Sequence, residues 1–355
     1  MHRVGTSGLL RRRTRAVVAG VTAALVLSLA ACGSDDDDKD ATNTGASNAP
    51  SAGAPATPDA AAYPVTITHK LGTTTIKEAP KRIVALGEGD QDAALALGVQ
   101  LVGMVETTPV TPWAEPKIVG DKPQLIHMGD NGAPIEEVLK LKPDLILAGT
   151  DYWVADEYDK LSKIAPTTAY QVGPSQDSWQ QVVLQVGQAL GKSAEAQKLV
   201  GDLETKTANV KTQYPEIAGK TFALTMAQDT GSVLVLKDKE DISVKMLREG
   251  FGMTHPDNIA GLPGEGFSAQ LSLERLDLLD VDVLLTTYND DAGVQKGIEE
   301  NPQFAKLNVV KRGSYIVLDA NNFYALRNAT VLSIDWLIDN LLPRISQAAK
   351  AAAAS

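Results

Sequence analysis

The chain has one cysteine among its 355 residues, four histidines, and only 5% aromatic residues. A lone cysteine excludes an intrachain disulfide and leaves its thiol for another use. His2, His69, His127 and His255 form no HxH or HxxxH pair. A bare Zn or Mn site wants two or three such residues with carboxylates, so direct metal binding is not expected. Gly-x-Ser-x-Gly, the P-loop and a His-rich site are all missing, which argues against an enzyme such as a secreted hydrolase or a metal-dependent lyase. Carboxylate pairs exist at Asp156-Glu157 and Asp290-Asp291, but they lie in polar runs and read as solvated surface. Long apolar runs are lacking too. Ala16 to Leu29 spans about 14 residues, short of the roughly 20 that cross a bilayer, and no later run is long or apolar enough.

Positive charge is scarce. There are 33 Lys and Arg against 44 Asp and Glu, a formal charge of −11. Five of the Arg fall in residues 1–31, so the rest of the chain has 28 against 44, near −16. Such a surface disfavours nucleic acid and anionic lipid.

The beginning of the chain reads as an export signal. Arg11, Arg12, Arg13 and Arg15 form a positive region ahead of the apolar run. The segment ends Leu29-Ala30-Ala31-Cys32-Gly33, which resembles a bacterial lipobox, where cleavage precedes a lipid-modified Cys. Residues 1–31 are therefore expected to be a lipoprotein-type signal peptide and Cys32 the lipidated site. A plain secretory signal with an incidental Cys, or an uncleaved anchor, is the alternative. The Arg run leaves both the general and the twin-Arg export routes open. Residues 32–62, apart from Cys32 and Lys39, are Asp, Ser, Ala, Pro, Gly, Thr and Asn, with the run Asp35 to Asp38, and read as a disordered tether. The expected location is extracytoplasmic, on the outer face of the cell membrane.

The folded part is organised around residues 193–214. Ala196, Leu199, Val200, Leu203 and Val210 recur at three- and four-residue steps, the period of an amphipathic helix. Leu190-Gly191 closes the helix before it, Ser193 is expected to cap it, and Pro215 and Gly219 stop it. Its roughly 30 Å suit a strut between two lobes. Residues 63–192 and 215–345 each read as alternating strands and helices, implying parallel sheets covered on both faces. The first block opens with a hairpin around Leu71-Gly72 and continues through strands at 82–86, 101–105 and 143–148, with helices at 90–97 and 134–141. Gly87-Glu88-Gly89 lacks the third Gly of a dinucleotide fingerprint and reads as a tight turn. The second block has strands at 221–226, 233–236, 281–285 and 315–318, with helices at 241–249, 271–279 and 329–342. Residues 346–355 are expected to fray. The fold class is α/β, with two parallel-sheet lobes joined by one long helix.

An internal echo is the most specific signal. Ile135-Glu136-Glu137-Val138-Leu139-Lys140-Leu141-Lys142-Pro143-Asp144-Leu145-Ile146-Leu147 matches Leu273-Glu274-Arg275-Leu276-Asp277-Leu278-Leu279-Asp280-Val281-Asp282-Val283-Leu284-Leu285. In each copy a Glu begins a helix and an Asp eight residues later starts a buried strand. One such Glu is ordinary helix-dipole complementation, worth about 0.3–1 kcal/mol. Two at equivalent places would form a matched pair.

These segments, together with Pro80-Lys81-Arg82-Ile83-Val84-Ala85-Leu86, Ala96-Leu97-Gly98-Val99, Ser272-Leu273-Glu274 and Thr330-Val331-Leu332-Ser333-Ile334, resemble the siderophore- and cobalamin-binding family of substrate-binding proteins for ABC importers. The resemblance covers about Tyr63 to Ile345 and lies in the order and spacing of the motifs. It implies a monomeric solute-binding protein, not an enzyme, with two lobes on a single-helix linker and no cofactor. It also implies that Glu136 and Glu274 dock onto an ABC permease dimer. Residue 88 departs from the family pattern, in which an aromatic or Ser is common. Whether Glu88 meets a cationic ligand group or water is left open by the sequence.

A ligand of two such lobes is expected in the cleft where loops leave the strands' carboxyl ends. Trp113, Tyr152, Trp153, Tyr288, Phe323, Tyr324 and Arg327 lie in those loops and are the candidate ligand contacts. Trp179 begins a helical pattern with Val182, Val183 and Val186 and reads as core, and Arg248 reads as a surface ion pair. The resemblance points to a ferric siderophore, whose often anionic or oxygen-rich faces Arg can fork and aromatics can cover. Any iron would arrive inside its chelator. Haem or cobalamin bound in the same way is the alternative, and a secreted enzyme a more distant one.

Overall fold

The computed structural model describes residues 62–107, 111–130, 132–264 and 266–354. The expected signal peptide, Cys32 and residues 32–61 of the tether lie outside the described residues.

The first lobe begins with a hairpin, β1 (Val65–His69) and β2 (Gly72–Ile76), in antiparallel register from Val65↔Ile76 to His69↔Gly72. Its buried side carries Ile67, His69, Thr74 and Ile76, the alternation a half-covered ribbon requires. The sheet that follows contains β3 (Ile83–Ala85), β4 (Gly103–Val105), β5 (Gln124–Ile126) and β6 (Leu145–Leu147), all parallel, in the order β5-β4-β3-β6. Helices α1 (Glu88–Ala96), α2 (Ile135–Lys140), α3 (Val154–Leu161) and α4 (Trp179–Ala189) complete the lobe. Gly98 closes α1 in the left-handed region, at φ 73°, where a side chain would be strained.

α5 (Ser193–Gln213) is one continuous helix of 21 residues packed against α4. Ser193 is its first helical residue and not its cap. The Lys192 N–H bonds back to Gly187 O at 2.7 Å and its carbonyl accepts from Ala196 N at 2.9 Å, so the helix starts one residue earlier than the hydroxyl suggested.

The second lobe contains β7 (Phe222–Met226), β8 (Ser232–Leu236), α6 (Ile242–Lys245), α7 (Asp257–Ala260), β9 (Ser268–Ser272), β10 (Val283–Thr287), α8 (Ala292–Glu299), α9 (Pro302–Lys306), α10 (Asn308–Lys311), β11 (Tyr315–Leu318) and α11 (Ala320–Arg327). Its sheet runs β11-β10-β7-β8-β9, parallel over the first three strands and antiparallel over the last two. The helix expected over 271–279 begins only at Leu273. Ala269 and Leu271 alternate into the core, so 268–272 pairs with β8 (Val233↔Leu271) as a strand.

The chain then returns to the first lobe. α12 (Val331–Asn340) packs against α1, α4 and α5, and α13 (Leu342–Ala353) against β10 and β11. One apolar core therefore runs from Ile67 through Val186, Val200 and Leu337 to Phe222 and Leu285. This return was not anticipated by treating 215–345 as one C-terminal lobe. Nor do residues 346–355 fray where described: Ser346, Ala348 and Ala349 are buried, Ser314 Oγ donates to Ala348 O at 2.8 Å, and Lys350 pairs with Glu216 at 3.0 Å.

Candidate ligand-binding cleft

The carboxyl end of β3 leads into Leu86, Gly87 and the start of α1. A Cβ on Gly87 would fall 2.2 Å from Thr150 Oγ1, and one on Gly89 2.7 Å from Thr150 Cγ2. The tight turn expected at Gly87-Glu88-Gly89 is instead the start of α1, with Gly87 as its extended N-cap, and the two glycines allow close approach to the loop after β6. Asp90, fully buried on α1, holds that loop: its carboxylate accepts from Gly149 N at 3.1 Å and from Thr150 N and Oγ1, both at 2.7 Å. The loop so fixed carries Asp151, Tyr152 and Trp153. Tyr152 and Trp153 meet edge to face at 5.1 Å, and the Asp151 Oδ1 accepts from Trp153 N at 2.9 Å.

The opposite wall comes from α6, α11 and the start of α12. Asp319 caps α11 through Asn322 N at 2.8 Å, and the helix presents Tyr324 and Arg327 three residues apart on one face. The Tyr324 hydroxyl donates to Glu88 Oε1 across the two lobes. Arg327 lies 5.1 Å from the Phe267 ring centroid and donates to Asp241, which also caps α6 through Ser243 N at 2.9 Å.

Between these walls is a cleft of about 530 Å³ lined by Glu88, Thr150, Asp151, Tyr152, Trp153, Asp177 and Trp179 on one side and Ile242, Arg327, Asn328 and Thr330 on the other. That volume falls in the range of small-molecule sites. Burial pushes the Glu88 carboxyl up, against the hydrogen bond from Tyr324. Burial also carries Asp151 up to about 7, the Trp153 N–H opposing it and the Glu157 and Asp90 charges adding to it. Its Oδ2 is buried without a hydrogen-bond partner.

The cleft brings together Tyr152, Trp153 and Arg327 from among the expected ligand contacts, with Tyr324 joined to it through Glu88. Three others are elsewhere. Trp113 is only 6% exposed, because its Nε1 donates to Asp92 Oδ2 at 3.0 Å and its ring stacks on Tyr324 at 6.2 Å and meets Trp336 at 5.5 Å. Tyr288 is 2% exposed in the second lobe's core, its hydroxyl bonded to that of Tyr315 at 2.7 Å. Phe323 is half-buried and packs against the main core. Conversely, Trp179, read as core, does pack on the core but also forms part of the cleft wall. Asp151 and Ile242 were not singled out by the sequence at all. Arg248 bonds the Lys239 carbonyl at 3.0 Å and does not line the cleft. Glu157, read as solvated, is buried and accepts from Ala133 N at 2.9 Å. Glu136 and Glu274 are exposed in the first turns of the two echoed helical segments. Among the described residues no cluster of three or more His, Cys, Asp or Glu is placed to hold a metal ion.

The sequence profile of a family described as periplasmic binding protein matches residues 83–322. The putative ABC transporter substrate-binding lipoprotein YhfQ of Bacillus subtilis is 28% identical over 267 residues, covering 72% of this chain and 81% of that protein. A periplasmic solute binding protein from Mycobacterium smegmatis is 30% identical and superposes with a TM-score of 0.67, covering 80% of this chain and 98% of the other. The iron-uptake substrate-binding protein PiaA of Streptococcus pneumoniae, solved with ferrichrome, gives 0.64 at 28% identity over 81% and 99% of the two chains.

Proposed function

The chain belongs to the periplasmic binding protein family, a family of solute binders rather than enzymes, and from that premise we propose that it captures a ferric siderophore between its lobes for an ABC importer. The observation that carries this reading is the cleft of about 530 Å³ walled by Tyr152, Trp153 and Trp179. Three clustered aromatics offer a rigid apolar and π surface to a bulky chelate, which would bring its iron already wrapped. Iron is the cargo here, and the scarcity of His and Cys fits that role. A single amino acid or sugar would leave much of such a cleft unfilled.

The lobes are joined by the unbroken α5 and by the core that α12 carries back across them, with no paired flexible strands to act as a hinge among the described residues. Closure on the ligand is therefore small and recognition rests on a largely pre-formed site. Glu136 and Glu274 are the docking contacts for a permease dimer, one from each lobe, and Cys32 is the lipid attachment that keeps the monomer at the outer face of the cell membrane. Their exposure at equivalent places supports the first, and the lipobox the second.

The test is a fluorescence titration with ferric siderophores, iron-free siderophores, haem, cobalamin and bare Fe³⁺. Iron chelates quench nearby Trp, so saturable quenching by ferric siderophores is expected. Saturation by haem or cobalamin alone, or by bare metal alone, would replace the reading with that ligand.

A further inference from the structure

Resting on the reading of the cleft as a ferric-chelate site, we infer that its ligand is a ferric chelate without net negative charge that presents a cationic group, an ammonium, to Glu88 and Asp151. The charge lining the cleft is the first observation. Glu88, Asp151 and Asp177 face Arg327 as the only cation among the lining residues. Arg327 is already engaged, donating to Asp241 and lying over the Phe267 ring, so little positive charge remains to receive an anion.

The second observation is the state of Asp151. The residue is 3% exposed, Oδ1 is held by Trp153 N at 2.9 Å, and Oδ2 is buried without a partner although the residue lines the cleft. A buried carboxylate oxygen left unpaired is costly, and a ligand N–H⁺ arriving there would satisfy it. Glu88 lines the same cleft, and Gly87 before it packs on the Asp151 loop: a Cβ on Gly87 would lie 2.8 Å from Asp151 N. Tyr324 donates its hydroxyl to one Glu88 oxygen and thereby orients the carboxylate. An anionic chelate entering the cleft would instead meet three acidic side chains in a partly desolvated space and no unengaged cation.

The experiment compares ferrioxamine B, a ferric trihydroxamate with a free ammonium, with the same chelate acetylated on that amine, and with ferric citrate. The wild-type protein is expected to bind the ammonium form about tenfold more tightly than the acetylated form, the scale of one charge-assisted contact, and ferric citrate more weakly than either. In Asp151→Asn and in Glu88→Gln, each checked for folding by circular dichroism, the preference for the ammonium form should fall to less than about threefold. Equal or tighter wild-type binding of the acetylated chelate or of ferric citrate overturns the inference. So does an unchanged preference in both variants. If no ferric chelate binds while haem or cobalamin saturates the protein, it is the ferric-chelate reading itself that falls, and this inference with it.

Discussion

Asp144 and Asp282 occupy the same structural place in the two lobes. Each sits just before a parallel strand and reaches sideways to the backbone N–H that precedes its neighbouring strand. Asp144 Oδ1 accepts from Arg82 N at 2.8 Å, ahead of β3, and Asp282 Oδ2 accepts from Thr221 N at 2.8 Å, ahead of β7. The strand registers agree, Ile83 opposing Leu145 and Phe222 opposing Val283. The Asp half of the echo is thus explained by strand bracing. The Glu half is not: Glu136 and Glu274 are exposed, and the brace does not use them.

Asp282 also accepts from Thr221 Oγ1 at 2.8 Å and lies 3.6 Å from Lys220 Nζ. Burial raises its carboxyl, but the Thr221 bonds and the Lys220 and Arg312 charges outweigh burial and hold it below the usual range. A depressed folded pKa gives stability that is present above the unfolded value, near 3.9, and is lost as pH falls through the folded one. We predict that Asp282→Ala costs about 1–3 kcal/mol in urea unfolding at pH 7 and that the cost shrinks below about pH 4. A pH-independent difference would sink this account.

Trp113 and Trp153 should separate cleanly in their effects. Trp113→Ala removes a buried ring and the Asp92 hydrogen bond and is expected to cost about 3–5 kcal/mol of stability. Trp153→Ala removes a wall of the cleft and is expected to weaken ferric-siderophore binding by about 1–2 kcal/mol with a smaller effect on unfolding. Titration calorimetry and urea curves on both variants decide it. The assignment fails if Trp113 proves to govern affinity and Trp153 only stability.

The parts of the fold legible in the sequence are those in which local pattern and tertiary packing agree. The hairpin alternation at Ile67, His69, Thr74 and Ile76 and the helical period of α5 are such cases. The failures have a common cause, because partners distant in sequence decided the outcome. Residues 268–272 became a strand because β8 was there to pair with them. The C-terminal alanines became an ordered helix because β10 and β11 offered an apolar face, and Pro343 falls in the first turn of α13, where its missing N–H costs nothing. The site was only half legible. An aromatic in a loop after a strand is compatible with the cleft or with a core, and only the Asp92 bond and the rings of Tyr324 and Trp336 place Trp113 inside. Asp151 gave no signal, since an isolated Asp in a loop reads as solvated.

Glu136 and Glu274 are expected to act together. Reversing both to Arg should abolish ligand uptake by cells while leaving the affinity of the isolated protein within about twofold, since neither residue lines the cleft. Normal transport by the double variant would remove the docking assignment.

Cys32→Ser is expected to release the protein into the medium or leave it unprocessed. Membrane fractionation with intact-mass measurement reads the outcome. If the variant stays on the membrane at unchanged processed mass, Cys32 is not the anchor.

Asp92 joins α1 to the start of α12. Its Oδ2 accepts from Trp113 Nε1 and from the Thr330 hydroxyl, while Oδ1 is buried without a hydrogen-bond partner. Burial pushes this carboxyl up to about 7, with the Glu88 charge adding to the rise and the Thr330 and Trp113 bonds opposing it. The native state therefore holds a proton that the unfolded chain releases near pH 4. Its contribution is complete below that pH and is lost progressively as pH rises to about 7, where the loss levels off. Asp92→Asn keeps an acceptor for Trp113 and Thr330 but cannot ionise. The amide also puts a donor where Oδ1 now has no partner, a cost that does not vary with pH. The diagnostic quantity is consequently the slope and not the offset: between pH 4 and pH 7 the variant should gain stability relative to the wild type, by urea unfolding at several pH values. A difference between the two proteins that stays constant across that window would show that Asp92 is not the buried acid proposed here.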